Sequence, residues 1–147
     1  MNADLVSVLL VDDDPGDALL VREAFDEHKV GNVLSVVSDG VQAMEYVRGQ
    51  GDYAAVARPD LILLDLNLPR KSGIEVLAEI KSDPVLSMIP VVVLTTSEAE
   101  EDIVRAYKLH ANAYVTKPVD FERFTEIVHQ IDEFFIGLVK LPPVGLS

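Results

Sequence analysis

The sequence predicts an α/β fold, an open doubly wound sheet of five parallel strands with helices on both faces. Three observations predict it. Short aliphatic runs alternate with longer amphipathic stretches along the chain, the pattern of repeated strand–helix units. Leu61-Ile62-Leu63-Leu64 is apolar at every position rather than at alternate ones, which marks a strand buried on both faces. That run ends in Asp65, and the run from Val6 to Val11 ends in Asp12, Asp13 and Asp14. Two strands thus deliver carboxylates to the carboxyl edge, where open α/β sheets place their chemistry.

The first strand is the aliphatic run Val6–Val11. Asp14-Pro15 then reads as a helix cap followed by proline at the first helical position, and a helix with Leu19, Leu20 and Phe25 runs to about His28. Residues 33–37 form the second strand. The second helix starts near Asp39-Gly40 and carries Val41, Met44 and Val47. Residues 49–58 are a loop with part of a helix. Residues 61–65 make the third strand, and a helix over residues 73–81, with Ile74, Leu77 and Ile80, ends at Asp83-Pro84. Pro90 opens a fourth strand over residues 91–94, and a helix over about 98–109 follows. Residues 113–116 are a short fifth strand. The last helix spans about 120–136, with Phe121, Phe124, Ile127, Val128, Ile131, Phe134 and Phe135 as its apolar stripe. Five such units fit the flavodoxin-like (βα)₅ strand order 2-1-3-4-5. The Pro-rich tail from residue 141 is not helical.

A chain of 147 residues points to one domain with a core of its own. With no Cys there is no disulfide, thiolate chemistry or Cys-type zinc site. Acids outnumber Lys plus Arg by 25 to 12, a net charge of −13, so direct nucleic-acid binding is excluded by repulsion from phosphates. No apolar run reaches the 18 residues of a membrane span, and Met1-Asn2-Ala3-Asp4 lacks the basic start of a signal peptide. A cytoplasmic location is the expectation.

Carboxylates brought together repel, and a cation must neutralise them. All-oxygen ligands favour Mg²⁺, with Mn²⁺ or Ca²⁺ as substitutes. Further chemistry converges on the same edge: Thr95-Thr96 at the end of the fourth strand, Lys117-Pro118 at the end of the fifth, and the Asn67 backbone carbonyl. Acids, a hydroxyl and an amine suit phosphoryl transfer to a carboxylate, with a metal, Lys and Thr on the phosphoryl oxygens. An aspartate is then the nucleophile, giving an acyl phosphate.

Each residue also has a plainer reading. Asp12 or Asp13 alone suits a helix N-terminus, and Asp14 is the cap rather than a ligand. Lys117 alone is a solvated lysine, and Tyr114 a strand-edge ring. Arg70-Lys71 reads as a solvated turn, with steering of a phosphodonor as the alternative, and His28, His110 and His129 read as surface residues. Phe135, Ile136, Leu138, Val139 and Leu141 exceed what one sheet face buries, so a homodimer through the fourth helix, fifth strand, fifth helix and C-terminal extension is expected.

Taken together, these residues resemble the receiver domain of bacterial two-component response regulators over nearly the whole chain. The matching residues are Asp12-Asp13, Asp65 with Asn67 and Pro69, Thr95, Tyr114 and Lys117-Pro118. The resemblance implies that Asp65 accepts phosphate from a histidine kinase, assisted by Thr95 and Lys117. It implies a Mg²⁺ held by Asp13, Asp65 and the Asn67 carbonyl, with Asp12 acting through water. It makes Thr95 and Tyr114 a coupled switch, places Thr96 on the approach to the phosphorylation site, and implies a cis Lys117–Pro118 bond. The stretch 58–71, the segment 91–96, the loop 49–58 and the tail past 136 are similar to single-domain regulators paired with bacterial phytochromes. Residues 1–140 are then a receiver domain and 141–147 a tail, with no output domain.

A competing reading is a Mg²⁺-dependent phosphohydrolase of the haloacid-dehalogenase type, with Asp12 as nucleophile and Asp12/Asp14 supplying its Asp-x-Asp spacing. Gly16 stands where that motif takes Thr or Val, and no segment is long enough for a cap domain. A flavin carrier on the same fold fails because Asp12, Asp13 and Asp14 would repel the flavin phosphate.

Overall fold

The computed structural model of the chain describes residues 6–26, 32–118 and 120–134. Strands β1 (Val6–Val11), β2 (Asn32–Val37), β3 (Leu61–Leu64), β4 (Val91–Thr95) and β5 (Ala113–Thr116) form one sheet, all neighbours parallel, in the order β2-β1-β3-β4-β5. Helices α1 (Pro15–Asp26), α2 (Gly40–Arg48), α3 (Gly73–Ser82), α4 (Glu100–Lys108) and α5 (Phe121–Asp132) connect or follow them. The predicted doubly wound architecture and strand order are those observed.

Alternation along the strands divides the core into two layers. Leu9, Val11, Ile62, Leu64, Val91 and Val93 face Met44, Val47, Val76, Leu77, Ile80 and Ala106 of α2, α3 and α4. Val8, Leu10, Leu61, Leu63, Val92 and Leu94 face Val21, Phe25, Phe124, Val128 and Ile131 of α1 and α5. The inner strands are buried on both faces, which explains why they read as unbroken apolar runs.

Side-chain caps start every helix but α4, whose cap position is Ala99. Asp14 Oδ1 accepts from the amides of Gly16 (2.8 Å) and Asp17 (3.3 Å). Asp39 caps α2 through Gln42 N, Asp120 caps α5, and Ser72 with Glu75 closes a capping box on α3.

Several sequence expectations are corrected. Beyond Pro84, in a stretch the sequence left unassigned, a 3-10 turn spans Leu86–Met88, where Asp83 Oδ1 accepts from Val85 N and Leu86 N. Arg70 lies in an exposed turn, as the sequence predicts, but its guanidinium also pairs with buried Asp39 at 3.1 Å, and the partly buried Lys71 pairs with Glu79. His129 is half-buried on α5 rather than on the surface, and Phe134 is 52% exposed rather than part of the buried stripe. No peptide bond among the described residues is cis, so Lys117–Pro118 is trans, the commoner form, with Lys117 N still donating to Thr95 O. His28, Phe135 and the apolar extension to Leu141 lie outside the described residues.

Two glycines set the loop between β3 and α3. A Cβ on Gly73 would stand 2.2 Å from the Asp65 carbonyl oxygen, and one on Gly40 would stand 2.1 Å from that of Lys71. Only glycine permits this close approach, which presses the loop after Asp65 against the starts of α2 and α3.

Candidate phosphorylation and metal site

The sheet ladders carry the functional residues to one edge. Asp12 N donates to Val37 O at 3.1 Å, Asp65 N to Val11 O at 3.0 Å, and Lys117 N to Thr95 O at 2.7 Å. Each of these residues therefore stands just beyond a strand, with its backbone still tied to the neighbouring one.

Asp65 is buried and fully engaged. Its Oδ1 accepts from the Thr95 hydroxyl (2.8 Å) and Asn67 N (3.1 Å), and its Oδ2 accepts from Lys117 Nζ (2.9 Å). Lys117 Nζ also donates to Asp12 Oδ2 (2.7 Å) and Asp17 Oδ2 (2.9 Å). All three ammonium protons thus have carboxylate acceptors. Asp12 Oδ1 accepts from Asp14 N at 3.0 Å.

The electrostatics follow from burial and charge. Burial pushes the Asp12 carboxyl above its ordinary value, with the Asp65 charge adding a little, although Lys117 and the Asp14 amide oppose the shift. Burial alone would lower the Lys117 ammonium, but its hydrogen bonds to Asp12, Asp65 and Asp17 outweigh burial and hold it above its usual range. Lys117 is therefore a fixed cation at neutral pH.

Carboxylate oxygens of Asp12, Asp13 and Asp65 lie within 4.8 Å of one another, with Asp13 exposed and the other two buried. With Asp17 the edge holds four carboxylates against one ammonium. Such an all-oxygen, undercompensated cluster fits a hard divalent cation. Asn67 stands exposed two residues past Asp65.

The predicted switch residues lie on the far side of Asp65. Thr95 is fully buried. The half-buried Tyr114 donates its hydroxyl to Ser97 O at 2.9 Å, and burial raises its phenol above the ordinary value. Ser97 Oγ donates to Asp102 on α4 at 2.6 Å, and the Tyr114 amide donates to the Tyr107 hydroxyl at 3.1 Å. Thr96 is exposed at the mouth of this loop. The structure thus brings Asp12, Asp13, Asp65, Thr95 and Lys117 together. Sequence reasoning missed Asp17, whose only signal was an acid one helical turn after Asp13.

A hydroxyl, an ammonium and the carboxylates of Asp12 and Asp13 thus gather around Asp65. The chain belongs to the response regulator receiver domain family, whose model matches residues 8–129. It is 46% identical over 135 residues to response regulator Rcp1 of Synechocystis, covering 92% of each chain. Among solved structures it resembles the phosphorylated cyanobacterial phytochrome response regulator RcpA, with a TM-score of 0.92 and 49% identity over 94% of this chain and 99% of that one. The Mn²⁺-bound form of Rcp1 matches with the same TM-score and coverage at 45% identity. The hydrolase alternative falls away: the family is that of receivers, and Asp14, the second acid of its motif, is committed to Gly16 N and Asp17 N.

Proposed function

We propose that this response regulator takes a phosphoryl group on Asp65 from a histidine kinase of the phytochrome type, and that the group's arrival changes the face formed by α4, β5 and α5. The observation that carries the proposal is the set of contacts on Asp65, with the Thr95 hydroxyl on one oxygen and the Lys117 ammonium on the other, beside the acids of β1.

In the step proposed, an Asp65 carboxylate oxygen attacks the phosphorus of a phosphohistidine. The P–N bond breaks, its electron pair stays on the imidazole nitrogen, and that nitrogen takes a proton from solvent. Lys117 and Thr95 bind phosphoryl oxygens through N–H and O–H donors already aimed at the acceptor. Asp13, Asp65 and the Asn67 carbonyl would hold Mg²⁺, with Asp12 acting through water; the manganese bound by a close relative supports a divalent ion of this kind. What the ion supplies when bound is neutralisation of the phosphoryl oxygens. Attack by water on the acyl phosphate then breaks the bond between phosphorus and Asp65, frees inorganic phosphate and restores the carboxylate, so the chain acts as a catalyst of its own phosphorylation and dephosphorylation only.

The phytochrome pairing rests on the phytochrome regulator it resembles. A cytoplasmic location is in keeping with a kinase partner of that kind. Exposed Val104 (44%) and Tyr107 (49%) on α4 favour a homodimer through the α4–β5–α5 face.

Incubation with Mg²⁺ and acetyl phosphate should add one phosphoryl group, seen by intact-protein mass. Asp65→Asn should abolish the mass shift. A normal rate in Asp65→Asn would defeat the reading.

A further inference from the structure

We propose that Asp17 is a positioning residue: it holds the Lys117 ammonium toward α1 and thereby slows the uptake of phosphate by Asp65. The inference rests on the reading of Asp65 as acceptor and Lys117 as the clamp on the phosphoryl group.

An acid in the first turn of a helix has an ordinary explanation. Asp17 is the third residue of α1, where an acid commonly turns back to the cap residue's amide. Here the Asp14 amide already donates to Asp12 Oδ1. Asp17 Oδ2 instead lies 2.9 Å from an ammonium 100 residues away in sequence.

The three acceptors of Lys117 are not equivalent. The Asp12 and Asp65 side chains are 1% and 8% exposed, while that of Asp17 is 23% exposed. A buried carboxylate stripped of its counter-ion is strongly disfavoured, whereas a carboxylate at the rim is solvated without one. Asp17 is therefore the partner that Lys117 releases most readily.

A release is needed. All three ammonium protons are placed, and a phosphoryl oxygen must take one of those places. Until the exchange occurs, Asp17 competes with the phosphoryl oxygen for the same donor. It also adds negative charge beside a group that brings about −1.5 to −2 more. Both effects slow phosphorylation.

The test uses the full chain with acetyl phosphate at saturating Mg²⁺, followed by intact-protein mass. Saturation separates the rate from metal affinity, which is measured independently by Mn²⁺ titration. Asp17→Asn should raise the maximal rate roughly two- to fivefold, the size expected of an ion pair partly in water. Asp17→Glu, which keeps the charge on a longer arm, should fall between. Asp17→Ser, well suited to a helix start, should also be faster and guards against a folding defect in the first variant. In the metal-free protein, Asp17→Asn should move the Lys117 side-chain NMR resonance, which a purely helix-starting acid would leave in place. Rates no faster than wild type in both neutral variants, or an unmoved Lys117 resonance, overturn the inference. If the wild type gains no phosphate on Asp65, the reading beneath fails and this one with it. If the wild type is phosphorylated there and the neutral variants keep its rate, this inference alone fails.

Discussion

The hydroxyl of Thr95 donates to Asp65 Oδ1 across 2.8 Å with both residues buried. A switch residue that only answers phosphate would leave Asp65 without this bond. A buried hydroxyl needs an acceptor, and the Asp65 carboxylate is a charged one within reach, so the inward rotamer is satisfied without phosphate. The Tyr114 phenol is likewise already on Ser97 O. Thr95 is thus placed on Asp65, and Tyr114 on the loop after β4, without a phosphoryl group.

Thr95→Ala removes that bond and leaves Asp65 Oδ1 with the Asn67 amide. We expect a stability loss of about 1–2 kcal/mol by denaturant titration. The variant should still accept phosphate, more slowly, but the amide resonances of the segment from Ser97 to Asp102 should no longer respond. A wild-type pattern of shifts would disprove the coupling.

Asp13→Asn relieves repulsion among Asp12, Asp13 and Asp65. The metal-free variant should melt roughly 2–4 °C above wild type, the shift that about 1 kcal/mol produces in a chain of this size. Saturating Mn²⁺ should reverse the order, since ligand at a hundred times its dissociation constant stabilises the wild type by about 2.7 kcal/mol. The raised Asp12 carboxyl gives the metal-free protein a pH sign as well. Its proton is held more tightly folded than unfolded, so this group adds stability as pH falls toward 3.8 and withdraws it as pH rises. Asp12→Asn should lack that slope.

Thr96 is exposed beside the buried Thr95. A β-branched side chain there should hinder an incoming donor and an attacking water. Thr96→Ala should therefore speed phosphorylation by acetyl phosphate, loss of the phosphoryl group, or both, by a few-fold at constant Mg²⁺. Rates equal to wild type would show that the side chain does not stand on the path.

Lys81 holds the opposite end of the sheet. Its Nζ donates to Ser87 O (3.2 Å), Ile89 O (2.9 Å) and Asn112 Oδ1 (3.3 Å), joining α3, the 3-10 turn and the loop before β5. Burial lowers its ammonium below the ordinary value. Lys81→Met keeps much of the packing but strands those acceptors, and should cost about 1–3 kcal/mol in denaturant titration without changing phosphorylation. An unchanged midpoint would mean that water replaces the ammonium.

The frame was legible because the central strands are aliphatic runs, each ended by a polar residue. Val91–Leu94 and Leu61–Leu64 announce buried strands, and their ends place Thr95 and Asp65 side by side. What was not legible depends on distance in sequence or on rotamer. Asp39 and Arg70 meet across 31 residues with no period to signal it. Asp17 looks like any acid that starts a helix until Lys117 is seen above it. The inward turn of Thr95 is a choice among side-chain wells that composition does not encode. The turn at Leu86–Met88 is too short to show a period.

The Tyr107 hydroxyl on the Tyr114 amide has a consequence for assembly. Among the described residues β5 has a sheet neighbour on one side only, and a strand edge with free amides invites another strand to pair with it. At Tyr114 that amide is already taken by a side chain from α4. A second copy meeting this face cannot extend the sheet through that position without first displacing the Tyr107 phenol. Contact between copies here would then be made by side chains, so its strength and its sensitivity to phosphate would be set by what α4 and α5 expose.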